Sequence, residues 1–120
     1  METSLNNKIT ELNTKISTET NAAKKALLQE QKTMLESNLT ELRSMSGIKT
    51  KAEFDNLKTT NSSTKNTDQL SSYTQNSSGG YDINGHTIAQ KRFDAFKSEM
   101  EAIQKQYNKY LNNLIQSKES

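Results

Sequence analysis

Thr87–Ser117 reads TIAQKRFDAFKSEMEAIQKQYNKYLNNLIQS. Within it Phe93, Phe96, Met100, Ile103, Tyr107, Tyr110 and Leu114 follow one another at alternating steps of three and four. Ala89 extends the series backwards by a step of four. Side chains at this spacing form one stripe along a helix, because residues three and four apart sit one above the other. With Phe93 as heptad position a, Met100, Tyr107 and Leu114 are also a, and Ala89, Phe96, Ile103 and Tyr110 are d. The rest of the segment is polar, so the stripe needs a partner to cover it. A helix over 88–117, about 30 residues and roughly 45 Å long, is predicted. It is expected to fray after Ser117.

Before this helix comes Tyr81-Asp82-Ile83-Asn84-Gly85-His86-Thr87-Ile88. Asn84-Gly85 is a strong two-residue hairpin signal, but an isolated hairpin is marginal. Residues 81–87 are therefore expected to be a tight turn, with Thr87 and Gln90 forming the capping box of the last helix. Upstream, 59–80 consists of Ser, Thr, Asn, Gln and Gly except for Lys65, Asp68, Leu70 and Tyr73. Such a segment buries too little to offset its ordering entropy. It is expected to be a flexible polar linker that reverses the chain. Thr50 with Glu53 has the form of a capping box, and Ala52, Phe54 and Leu57 predict a short helix over 50–58.

Residues 4–46 read as one long helix. Leu5, Ile9, Leu12 and Ile16 share a face, and the seam resumes at Leu27, Leu28, Leu35, Leu39, Leu42 and Met45. Ala22, Ala23 and Ala26 lie between, where small side chains either admit a close neighbour or simply favour helix. Ile16 to Leu27 is an 11-residue step, which relaxes a heptad supercoil. Gly47 suits a helix C′ position with positive φ. The fold expected is all-α: a single domain forming an elongated antiparallel hairpin or coiled coil of two long helices, with a short middle helix and a polar linker.

Composition agrees with helices sharing a narrow seam. Only 30% of the 120 residues are hydrophobic, there is no Pro, Trp or Cys, and the net charge is +2. Mean hydropathy is −0.96. An internal Pro would cost a helix roughly 3 kcal/mol, so its absence fits long helices. Without Cys, disulfides, thiolate zinc sites and Cys nucleophiles are excluded. Basic residues are interspersed with acidic ones, and the longest cluster is Lys24-Lys25, so nucleic-acid binding is not expected. No apolar run approaches the roughly 20 residues of a membrane span, so no membrane insertion is expected. The first residues, Met-Glu-Thr-Ser-Leu-Asn-Asn-Lys, have no basic n-region and no apolar h-region. The expected location is cytoplasmic, or outside the cell by a route without a cleaved signal peptide.

The chain offers no evident catalytic, cofactor or metal-binding set. His86 is the only histidine, and a lone His beside a turn is more often a surface residue. Asp82, Asn84 and Gly85 resemble part of a calcium loop, but the Gly and Glu required at positions 6 and 12 fall on Thr87 and Phe93. Phosphate-loop and hydrolase motifs are missing. Glu99 and Glu101 do not share a helical face. The sequons at Asn38, Asn61 and Asn76 are chance in so Asn- and Ser-rich a chain.

The aromatic stripe remains as the candidate partner interface: Phe93, Phe96, Met100, Ile103, Tyr107, Tyr110 and Leu114. Its plain reading is cover for the N-terminal helix of the same chain. Its functional reading is contact with another helical protein or a second copy. Leu111 and Ile115 widen the face, which calls for a third or fourth helix. A dimer or heteromeric bundle is the economical supply.

A small, Cys-free chain with two long helices joined by a polar linker resembles the Esx-type (WXG-like) proteins of type VII secretion and the small helical proteins that accompany LXG toxins. The W-x-G turn is missing, and Tyr107 and Tyr110 are followed four residues on by Leu111 and Leu114, not by Asp or Glu. The resemblance implies a non-enzymatic partner or targeting chaperone, or a secreted partner, that completes a helix bundle. The alternatives are a self-assembling structural coiled coil, phage or cytoskeletal, and a small immunity protein.

Overall fold

The computed structural model describes residues 1–48 and 50–117, and they form an all-α fold with one small hairpin. Along the chain come α1 (Glu2–Thr18), α2 (Ala22–Ser44), a 3-10 turn (Met45–Gly47), α3 (Lys51–Thr60) and α4 (Ser62–Ser72). Strands β1 (Tyr81–Ile83) and β2 (His86–Ile88) follow, then α5 (Gln90–Ser117). The molecule is elongated, with extents of 54 × 29 × 18 Å. The expected fraying of α5 after Ser117 falls outside the described residues.

The single helix expected over 4–46 is instead two helices folded against each other. The break is Glu19-Thr20-Asn21. Glu19 and Asn21 both take extended backbone, with ψ of 124° and 121°. Asn21 caps α2: its side chain accepts from Lys24 N at 2.9 Å. An Asx N-cap satisfies one of the donors that a helix start leaves unpaired, which stabilises the break by about 1 kcal/mol. Glu2 in the first turn of α1 accepts from Arg43 Nε at 3.1 Å near the end of α2, so the two helices run antiparallel. Ala26 is buried and Ala23 half-buried in the first turns of α2, where a three-residue connection forces the two backbones together. The small side chains serve that close approach. Gly47 does not adopt positive φ; α2 ends through the 3-10 turn, with Ile48 N bonded to Met45 O at 3.0 Å.

The polar linker expected over 59–80 is also corrected, because most of it is helical. Helix α3 runs to Thr60, two residues beyond the expected end, and starts at the Thr50–Glu53 cap: Thr50 Oγ1 accepts from Glu53 N at 3.3 Å. Asn61, fully buried, joins α3 to α4. Its Nδ2 donates to Leu57 O (2.6 Å) and Lys58 O (3.2 Å) at the end of α3. Its Oδ1 accepts from Thr64 N (2.9 Å) at the start of α4. One side chain thus satisfies both facing helix ends. The inner face of α4 is Ser63, Asn66, Thr67 and Leu70, spaced i, i+3, i+4 and i+7, all buried. The helical period is present, but polar residues carry it.

The turn expected over 81–87 is a true β-hairpin. Tyr81 pairs with Ile88 and Ile83 with His86, leaving Asn84-Gly85 as a two-residue loop. Asn84 at φ 51° and Gly85 at φ 81° match a type I′ turn. Three residues per strand would not hold alone; Ile83 and Ile88, each 1% exposed, fix the hairpin to the core beside α2. Thr87 does not cap α5. It lies in β2, and its hydroxyl donates to Asp82 Oδ1 at 2.8 Å. Ala89 precedes α5 and is exposed. Helices α3 and α4 pack directly on α5, while α2 reaches it through side chains. The two-long-helix hairpin is thereby replaced by a bundle in which the chain supplies its own third and fourth helices.

Gly80 tests this packing. A Cβ there would lie 2.8 Å from Ile88 O, whereas one at Gly47 would meet nothing within 4 Å. Gly80→Ala should lower the unfolding free energy by about 1–3 kcal/mol through overpacking against backbone. Gly47→Ala should be neutral or slightly stabilising. Urea unfolding followed by circular dichroism reads both.

Candidate interaction surface

Of the seven residues singled out on α5, five lie inside this chain. Phe93, Phe96, Met100, Ile103 and Tyr107 are buried, and Leu111 and Ile115 continue the buried stripe. Tyr110 and Leu114, the expected heptad positions, are only half-buried. A straight α-helix drifts about 20° per heptad against a strict seven-residue repeat. This drift carries Tyr110 outward and Leu111 inward, whereas Leu114 keeps the angular position of Phe96 and is half-buried beside buried Ile115. Five of the seven proposed interface positions are thus corrected to intramolecular core. Aspartate at Phe96 or Ile103 would unfold the chain before it probed any partner.

The N-terminal end of the α5 face is closed by aromatic rings. Tyr81 stacks on Phe93 with centroids 3.8 Å apart and planes at 13°, and Tyr73 meets the same ring edge-on at 6.1 Å. Further along, Glu99 pairs with Lys8, which ties α5 to α1.

At Tyr107 the core turns polar. Its hydroxyl donates to Glu41 Oε1 from α2. Glu41 also accepts from Ser62 N, with its two oxygens at 3.0 and 3.1 Å. A carboxylate thus sits at the N-terminus of α4, where the helix dipole and the free N–H groups favour negative charge. Ser62 Oγ lies 2.7 Å from Asn38 Oδ1 and 3.0 Å from Glu41 Oε1, and shares its single proton between them. Asn66 Nδ2 donates to Asn38 Oδ1 (3.2 Å) and Met34 O (3.1 Å). Asn38 Nδ2 and Ser63 Oγ find no partner among the described residues, a cost of about 1–3 kcal/mol each. Burial first, then the bond to Glu41 and its charge, hold the Tyr107 phenol well above its ordinary value. This network was not legible beforehand, and the signal that could have found it is the 63–66–67–70 period. The sequons at Asn38 and Asn61 are inaccessible, since both side chains are fully buried.

An apolar groove lies at the far end of the bundle. Leu42, Met45, Ile48, Phe54, Tyr110 and Leu114 line a groove of about 440 Å³, with the Glu2–Arg43 pair on its rim. Ile48, Tyr110 and Leu114 are the half-buried apolar side chains of that mouth. A second, open groove of about 680 Å³ runs over Thr33, Glu36, Ser37, Thr40 and Ser44 to Glu41, and its lining is hydroxyl and carboxylate. Among the described residues no group of three or more His, Cys, Asp or Glu is placed to hold a metal ion. No helix among them is long and apolar enough to cross a membrane.

Tyr107 yields a pH signature. A phenol whose pKa is raised by folding stabilises the native state fully below the unfolded value near 10. Above about pH 10 the unfolded chain ionises first, and stability falls. The unfolding free energy should therefore decline more steeply above about pH 10 in the wild type than in Tyr107→Phe. At pH 7 the same substitution should cost about 1–3 kcal/mol, because Glu41 loses a donor. Chemical denaturation across pH 7–11 measures both.

Comparison with family models, with curated proteins and with solved structures found no match to this chain.

Proposed function

We propose that this chain is a non-enzymatic helical partner protein whose groove at the Tyr110–Leu114 end receives an amphipathic helix of a second protein. The observation that carries this is the half-covered state of Ile48, Tyr110 and Leu114 around an apolar floor, while the rest of the α5 stripe is sealed by the chain itself. A helix laid into such a groove covers it with two or three apolar anchors, one turn apart. Tyr and a rim ion pair suit an interface, since both keep a polar end wet while an apolar body is covered. The setting implied by the resemblance to Esx-type proteins belongs to the same proposal: a partner or targeting chaperone, or a secreted partner, of a type VII secretion system.

Tyr110→Asp combined with Leu114→Asp tests it. Neither position is fully buried, so the helical circular dichroism spectrum should survive. Binding to a helical protein that co-purifies with the wild-type chain should weaken by at least about tenfold, or 1.4 kcal/mol, by titration calorimetry. Undiminished binding by the folded double variant would contradict the groove as the docking site.

A further inference from the structure

The connection between α1 and α2 contains neither Gly nor Pro. Glu19 sits at φ −77° and Asn21 at φ −79°, both close to the φ of an α-helix. Only their ψ angles are non-helical. Rotating these, with Thr20 helical between them, turns α1, the turn and α2 into one continuous helix from Glu2 to Ser44. At the α-helical period Leu5, Ile9, Leu12 and Ile16 then fall on the same side as Leu27 and Met34, with Glu30 and Glu41 interspersed. The straight form therefore has one largely apolar side, and α1 leaves its groove with that side uncovered.

We propose that a second copy of this chain covers it, by exchange of α1 in a domain-swapped dimer. In the closed chain α1 runs antiparallel to α2 and packs chiefly on it. Two straightened copies laid antiparallel place α1 of each on α2 of the other, with two-fold symmetry about the hinge. The two ion pairs that hold α1, Glu2 with Arg43 and Lys8 with Glu99, re-form between copies. The burial of Leu5 and Leu12 re-forms with them. Since both forms use the same contacts, they differ only at the hinge, and exchange of an identical element is a low-cost route to a dimer. The hinge trades the Asn21 cap and the Glu19 Oε1 bond from Asn21 N (3.0 Å) for helical backbone bonds across the break. Concentration then sets the balance. α1 is the first element and no later segment crosses it in sequence, so α3 to α5 stay packed. The exchange uses the α1 face; α1 meets the groove at Tyr110 and Leu114 through Glu2, whose pair with Arg43 re-forms in the dimer.

Ala22→Pro is the decisive variant. Ala22 is the first residue of α2, where Pro is favoured, and Asn21 before it already has the extended backbone that Pro requires. The closed hairpin accepts Pro there, but a continuous helix does not. Light scattering coupled to gel filtration, after refolding across a hundredfold range of protein concentration, should show a dimer fraction that rises with concentration. Ala22→Pro should lower that fraction at least tenfold with unchanged helicity. The triple variant Glu19→Ala, Thr20→Ala and Asn21→Ala, which removes the caps and favours helix, should raise it several-fold. Dimerisation of Ala22→Pro at the wild-type level overturns the proposal, as does a triple variant no more dimeric than the wild type. Loss of the dimer in Tyr110→Asp with Leu114→Asp also overturns it, by moving the contact to the groove. If Ala22→Pro does not fold, the triple variant decides alone.

Discussion

The apolar stripe of α5 must be covered, and the remainder of the chain is arranged to do it. Its large side chains run nearly the length of the molecule, from Phe93 beneath Tyr81 to Ile115. Full burial of each is worth about 1.5–3 kcal/mol, so no arrangement that leaves the stripe wet is stable. Two long helices from one chain would cover only part of so wide a face. Folding the N-terminal segment in two and making a helix of the polar segment supplies the missing cover without a second protein. The consequence for function is direct. Along the α5 stripe only Tyr110 and Leu114, in the last turns, stay half-buried.

Covering a helix with a polar segment has a physical condition. Ser63, Asn66 and Thr67 can face inward only if their polar atoms are satisfied. Met34 O and Asn38 Oδ1 on α2 accept from Asn66, and Thr64 O on α4 accepts from Thr67. Such bonds fix register, because a slip of one residue on α4 would bring Lys65 or Asp68 inward, depending on its direction. Two atoms, Asn38 Nδ2 and Ser63 Oγ, remain without partners among the described residues. The α2–α4 seam is thus specific more than it is strong.

What the sequence disclosed follows from where apolar residues carry the period. The stripe of α5 was legible because Phe, Met, Ile and Tyr mark it, and the cap at Thr50–Glu53 was legible because it is a local pattern. The break at Glu19–Asn21 was missed because apolar residues on both sides share one helical face, which hides a turn between them. Its signal was the run Ser17-Thr18-Glu19-Thr20-Asn21, poor in helix formers and ending in an N-cap residue. Helix α4 is hard to see in the sequence because its period is written in Ser, Asn and Thr, a composition that reads as linker. Asn84-Gly85 signals a hairpin locally, but the burial of Ile83 and Ile88 that holds it is a tertiary fact. For the same reason the interface residues were misplaced: the pattern shows that a face is buried and says nothing about which chain buries it.

Hydrogen exchange over 62–72 separates this bundle from an open helical hairpin with a loose connection. In the bundle, the amides of Asn66, Thr67 and Leu70 exchange as slowly as their neighbours in the α5 core at Ile103 and Tyr107, within about tenfold, because both open only with the whole fold. Exchange of 62–72 at the rate of an unfolded chain, with α5 still protected, would contradict it.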